Sequence, residues 1–224
     1  FKGALFMITG AVDHSTGTRD IKKLGGLLTI MPISFTITVI TSLSMAGVPP
    51  FNGFLSKEKF LESVIELTHA HVMSLNTLGL IFPILAIVGS IFTFVYSIKF
   101  IMHIFFGEYK PNQLPQRAHE ASILMLISPS ILAILVIIFG LFPGVLTQSI
   151  IEPATTSMSQ TTQVSAEFHL FHGITPAFIT TIGIYIIGIL LIITFAYWIK
   201  LLQSQPNQLT LNYWYDRTLS LIHI

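Results

Sequence analysis

The side chains best placed for chemistry are lysines embedded in apolar sequence. Lys2, in FKGALFMITGAV, lies about ten apolar or small residues before Asp13, roughly 15 Å from that end by helical rise. Lys57, in FLSKEKF, sits about ten residues before His69, again at mid-membrane depth by the same rise. A charged lysine at a bilayer centre costs roughly 2.5 to 3.5 kcal/mol even on the lenient insertion scale. A carboxylate partner, a water-filled cavity or loss of the proton must offset that cost. A lysine poised between its charged and neutral forms takes up and releases a proton, the property a relay requires. The alternative for both residues is a structural hydrogen bond that pins two helices.

Lys99 and His103 follow at i, i+4 spacing in YSIKFIMHIF and share one helix face. They fit a half-channel opening to the cytoplasm, or equally a snorkelling lysine beside an interfacial histidine. Lys200 closes the last apolar stretch and reaches the interface. His69 and His71 in THAHVMS fit proton capture at the outer end, or simple solvation. Glu58 and Lys59 flank Lys57, but successive helical positions point about 100° apart, so the three cannot face one cavity. The role of Glu58 stays open. His169 and His172 in EFHLFHG have the i, i+3 spacing of metal ligands but lack a third, so no metal site is expected. No phosphate loop, dinucleotide fingerprint or nucleophile elbow occurs, and no cofactor and no enzyme activity are expected.

These residues need a membrane scaffold. Of 224 residues, 52% are hydrophobic and 9% charged, with mean hydropathy +0.78. A soluble domain carries about 25% charged residues. The net charge of +1 implies no nucleic-acid partner, and the absence of cysteine removes disulfides and thiolate chemistry. The expected fold is all-α, a polytopic helix bundle in the lipid bilayer. Its crossing elements are Phe1–Val12, about Leu27–Leu67, Leu78–Phe106, Ser122–Val145 and Pro176–Trp198. The polar stretch PATTSMSQTTQVSAE reads as an exposed loop. Both ends read as cuts within a longer subunit.

Loop charge orients the bundle. Arg19, Lys22 and Lys23 follow the first element, Lys110 and Arg117 the third, and Lys200 the fifth, while the other loops carry no Lys or Arg. The signs alternate only if residues 27–67 cross once, which is far too long for a straight helix at 1.5 Å per residue. A discontinuous helix resolves the conflict. Pro49 and Pro50 lack amide donors, and Gly47 and Gly53 permit unusual backbone angles, so the expected break is MAGVPPFNG. Unwound backbone at that depth marks translocation sites in transporters. The alternative is two short helices joined at the membrane surface.

FKGALF, the loop DHSTGTRDIKKLGGL and SMAGVPPFNGFLSKEKF together resemble the antiporter-like membrane subunits shared by respiratory complex I and Mrp-type cation/proton antiporters. DHSTGTRDI and LFHG are most similar to the large A-type subunit of the Mrp branch. The resemblance implies that Lys2 and Lys57 are proton-pathway residues, with Lys99 and His103 continuing the path. It implies residues 1–145 as the C-terminal part of a proton-translocating core, 146–175 as an extracytoplasmic loop, and 176–224 as an additional transmembrane helix with the start of a cytoplasmic segment. The expected function is exchange of cytoplasmic Na⁺ for external H⁺ by a multisubunit antiporter in a bacterial plasma membrane, with other membrane subunits as partners. A proton-pumping subunit of complex I and a structural membrane scaffold are the competing readings. No carboxylate within a span stands out as a sodium ligand.

Overall fold

The computed structural model describes residues 1–69, 81–159 and 175–202, and every regular element among them is helical. The helices are α1 (Lys2–Thr16), α2 (Pro32–Ala46), α3 (Asn52–His69), α4 (Ile81–Phe105), α5 (Ile123–Leu141), α6 (Pro143–Leu146), α7 (Glu152–Ser159) and α8 (Pro176–Leu202). Two compact units result, Phe1–Gly188 and Ile189–Ile224. The first holds α1 to α7 and the N-terminal portion of α8. The described part of the second is the C-terminal portion of α8, residues 189–202.

Among the described residues three helices are long and apolar enough to cross a membrane: α4, α5 and residues Pro176–Thr194 of α8. Apolar positions occur all round them, so their outward faces remain hydrophobic, as with Phe82, Leu124 and Ile186, all exposed. That pattern belongs to a protein solvated by lipid, and the chain is a multi-pass membrane protein.

Contacts along α4 show how α2 and α3 relate. Phe35 of α2 meets Phe105 edge-on at 5.2 Å, Met45 meets Tyr96, Lys57 of α3 meets Ser90, and Leu61 shares a cluster with Ala86 and Ile87. The chain thus advances steadily in one direction past an antiparallel α4. At the junction Gly53 lies against Ser44, and Lys57 lies against Gly47. The start of α3 therefore overlaps the last turn of α2 side by side while heading the same way. This is one discontinuous helix, as the loop charges require, and not a hairpin at the surface.

α2 is only 15 residues long and packs through buried hydroxyl residues, among them Ser34, Thr38, Thr41 and Ser44. Thr38 and Thr41 donate to the carbonyls of Ser34 and Ile37, each at 2.7 Å, so these small polar residues let neighbouring backbones approach while satisfying their own hydroxyls, whereas the buried Ser42 hydroxyl has no partner among the described residues. Its N-terminus begins with Pro32 and lacks a cap from its own sequence. Glu120 supplies one from the α4–α5 connection, accepting the Ile33 N–H at 2.8 Å and the Ser34 hydroxyl at 2.5 Å. A carboxylate there also complements the helix dipole. Glu120→Ala is expected to destabilise the subunit by about 1 to 2 kcal/mol, read as a lower melting temperature of the assembled complex. An unchanged melting temperature counts against the cap.

The stretch read as a loop from Pro153 departs from expectation. The chain stays helical from Pro143 to Ser159, through a π turn at Thr147–Ile151. Thr155 and Ser157 return their hydroxyls to the carbonyls of Ile151 and Pro153, so side chains that suggest a loop satisfy themselves within the helix. Residues 160–174 of that stretch lie outside the described residues.

Candidate functional site

α2 ends where Gly47 adopts a left-handed conformation, φ +81°. Its amide donates to the Ser44 carbonyl at 3.0 Å, and that of Val48 to Leu43 at 2.9 Å, closing two of the helix's terminal carbonyls. Pro49 and Pro50, joined by a cis peptide bond, carry the chain across to Asn52. The Ser44 hydroxyl donates to Asn52 Oδ1 at 2.8 Å and accepts the Gly53 N–H at 3.1 Å. Two further carbonyls are met by side chains from other elements. Lys57 Nζ donates to Ala46 O at 3.0 Å, and the Tyr185 hydroxyl from α8 donates to Gly47 O. Lys57 also donates to Ser90 O on α4 at 3.4 Å. Protein groups thus meet the backbone needs of a break for which the bilayer core offers no water.

The arrangement also answers the cost of a lysine at this depth. Its ammonium sits at the C-terminal end of α2, where the aligned peptide dipoles leave a partial negative charge. Carbonyls and a dipole hold it, and it remains half-buried. Glu58, only 7% exposed, lies within electrostatic reach of Tyr185. Lys59 forms a 2.8 Å ion pair with Glu62.

Lys2, Lys99 and His103 come together in one cavity of about 640 Å³, with Thr9, Met45 and Tyr96 among its walls. Lys2 and His103 are exposed and Lys99 half-buried, so the cavity has an open side. His103 Nδ1 contacts the Lys99 carbonyl at 2.9 Å. Since a carbonyl only accepts, Nδ1 is the donor of that contact. Lys57 is not part of this lining. The link is Met45, which lines the cavity and immediately precedes Ala46, whose carbonyl holds Lys57.

Along α4, Tyr96, Lys99 and His103 lie 6, 9 and 13 residues beyond Ser90, roughly 9, 14 and 20 Å by helical rise. Lys57, Lys99 and His103 therefore follow one another along α4, and Lys2 joins the last two around the cavity. The side chains of His69 and Lys200, and residues His71, His169 and His172, lie outside the described residues. Among the described residues no group of three or more His, Cys, Asp or Glu is arranged to hold a metal.

Sequence reasoning missed Tyr185 and the Ser90 carbonyl. The first had a usable signal, since a lone phenol in TIGIYIIGILL must find a partner for its hydroxyl. The second had none, because every residue carries a carbonyl.

Comparison with known proteins bears out the resemblance carried by the motifs. Residues 1–82 match the family described as NADH:quinone oxidoreductase/Mrp antiporter, transmembrane. The chain is 78% identical over 216 residues to Na⁺/H⁺ antiporter subunit A1 of Staphylococcus epidermidis RP62A, covering 96% of this chain and 27% of that protein. It is 73% identical over 222 residues to subunit A1 of Staphylococcus aureus Newman, covering 99% and 28%. Among solved structures, the Mrp complex from Dietzia sp. DQ12-45-1b superposes with TM-score 0.65 at 26% identity, covering 99% of this chain and 24% of that one. The chain thus spans about a quarter of the length of the relatives it matches.

Proposed function

We propose, from the premise that residues 1–82 carry the NADH:quinone oxidoreductase/Mrp antiporter membrane module, that this chain is part of a bacterial multisubunit Na⁺/H⁺ antiporter. It works in the plasma membrane beside other membrane subunits, exchanging cytoplasmic Na⁺ for external H⁺, and is a transporter subunit rather than an enzyme. The observation that carries the reading is the file of basic groups: His103, Lys99 and Lys2 around one cavity, and Lys57 at the helix break one residue beyond its wall. Protons entering from outside reach Lys57, pass to Lys2 and Lys99, and leave by His103 to the cytoplasm. Each transfer needs a lysine that alternates between ammonium and amine, and the membrane potential contributes about 2.3 kcal/mol per charge per 100 mV. Residues 1–145 form the conducting part, the segment 146–175 lies on the extracytoplasmic side, and 176–224 add a further crossing helix and begin a cytoplasmic segment. A complex I role shares the family module, but the relatives at 73 to 78% identity are named as antiporter subunits, which favours exchange.

The test is Na⁺-dependent proton movement in everted vesicles carrying the full complex. Lys2→Ala is expected to lower the exchange rate at least 10-fold, because acid–base groups contribute factors of about 10² to 10⁴ to proton transfer, with assembly intact. Exchange at the wild-type rate in that variant removes Lys2 from the path.

A further inference from the structure

We propose that Glu58 is the carboxylate that binds the transported Na⁺, at a site between α3 and α8 beside the helix break. The inference rests on the exchange reading above and gives it a place for the cation. Among the described residues Glu58 is the only buried ionisable side chain, 7% exposed. An ionisable group inside a membrane span is costly and marks an ion path more often than a packing role. The other carboxylates of α3 are ordinary by comparison. Glu62 pairs with Lys59 at 2.8 Å, and Glu66 is exposed.

α3 turns Glu58 toward α8. Leu61, three residues on and on the same helix face, is buried in a cluster with Ala177 and Ile184 of α8. Thr181 lies between those two on the same α8 face and is 2% exposed. Tyr185, one turn beyond Thr181, is within electrostatic reach of Glu58. Both α8 hydroxyls have already committed their single proton to a backbone carbonyl. Thr181 donates to Ala177 O at 2.9 Å, and Tyr185 donates to Gly47 O. Neither has a proton left for the carboxylate, and each keeps lone pairs. The polar atoms that α8 brings to the level of Glu58 are therefore acceptor oxygens.

A carboxylate beside hydroxyl oxygens is the donor set of a hard cation, with no nitrogen or sulfur ligand to favour a softer one. The same oxygens accept from a protonated carboxyl, so H⁺ and Na⁺ compete for one group, which is what exchange requires. Lys57 is the next residue in the chain, held by the carbonyls of Ala46 and Ser90. A cation on Glu58 and a proton on Lys57 repel each other. The two positions therefore fill alternately, and Na⁺ is tied to the proton path at the break.

The test follows proton movement in everted vesicles carrying the full complex, at fixed pH, as Na⁺ is varied. Glu58→Gln keeps the size of the side chain and removes its charge. Its KM for Na⁺ is expected to rise about 10-fold or more, the weight of one charge-assisted contact. Glu58→Asp keeps the carboxylate but withdraws it by one methylene, so its KM should rise less and its preference between Na⁺ and Li⁺ should change. KM does not depend on how much complex assembles, so a poorly assembling variant still decides. If Glu58→Gln moves no protons, binding of radioactive Na⁺ to the purified complex decides: lost binding supports the site, and wild-type binding overturns it. A lower maximal rate with an unchanged KM in both variants makes Glu58 a packing residue and overturns the inference. If the wild-type complex moves no protons when Na⁺ is added, the exchange reading falls and this inference with it. If wild type responds to Na⁺ and Glu58→Gln matches it, only the inference falls.

Discussion

Lys57→Ala in the full-length subunit, assembled in its complex, is expected to abolish Na⁺-dependent proton movement, a loss of at least about 100-fold by the usual weight of a proton-transfer group. The side chain does two things that alanine cannot. It carries a proton at the helix break, and it occupies the carbonyls of Ala46 and Ser90. Leaving a buried carbonyl without a donor costs about 1 to 3 kcal/mol, so the alanine variant is also expected to be less stable. Lys57→Arg separates the two effects. Arginine keeps the charge and the donors, but it does not give up its proton in proteins. Assembly should therefore survive in Lys57→Arg while exchange is lost. Exchange retained in both variants would reduce Lys57 to a helix-pinning residue and leave the scaffold reading in its place.

The second large effect is structural. Gly53→Ala drives a methyl group into the Ser44 carbonyl oxygen, and Gly140→Ala drives one into the Pro50 carbonyl oxygen. Both obstacles are backbone atoms, so no rotamer change relieves them. The two contacts grip the break from opposite directions: Gly53 brings α3 onto the last turn of α2, and Gly140 brings α5 onto the proline turn. Overpacking a tight core costs about 1 to 3 kcal/mol, occasionally more, and a clash of backbone with a new Cβ belongs at the upper end. Each variant is expected to lose at least about 3 kcal/mol, seen as failure of the subunit to appear in the purified complex. Gly144→Ala, where a Cβ meets open space, should assemble normally. If Gly53→Ala assembles and melts like wild type, the overlap of the two half-helices is not as described.

The large features of this molecule were legible in the sequence for reasons of solvation. A chain with 9% charged residues cannot cover itself for water, and runs of some 20 apolar residues have few other uses. Loop charges decided that residues 27–67 cross once, and two prolines between glycines located the interruption. The lysines stood out because charge in apolar sequence is costly. Where polar residues are ordinary, legibility failed. PATTSMSQ looked like a loop, yet its described part, through Ser159, is helical, since Ser and Thr satisfy themselves inside a helix.

Only the tertiary structure decided how the parts meet. The sequence placed Lys2 and Lys99 at their own depths on separate helices, but their joining with His103 around one cavity depends on how α1 packs against α2 and α4. It left Lys57 needing a partner, and the expected choices were a carboxylate, water or loss of charge. The fold supplies the exposed end of a helix and a carbonyl from α4 instead, groups that every residue carries and no sequence advertises. For the same reason Tyr185, 128 positions from Lys57, had no visible link to the break. Composition and periodicity record the solvent each residue must face. Hydrogen bonds to backbone atoms depend on where the backbone goes, and that is settled by packing.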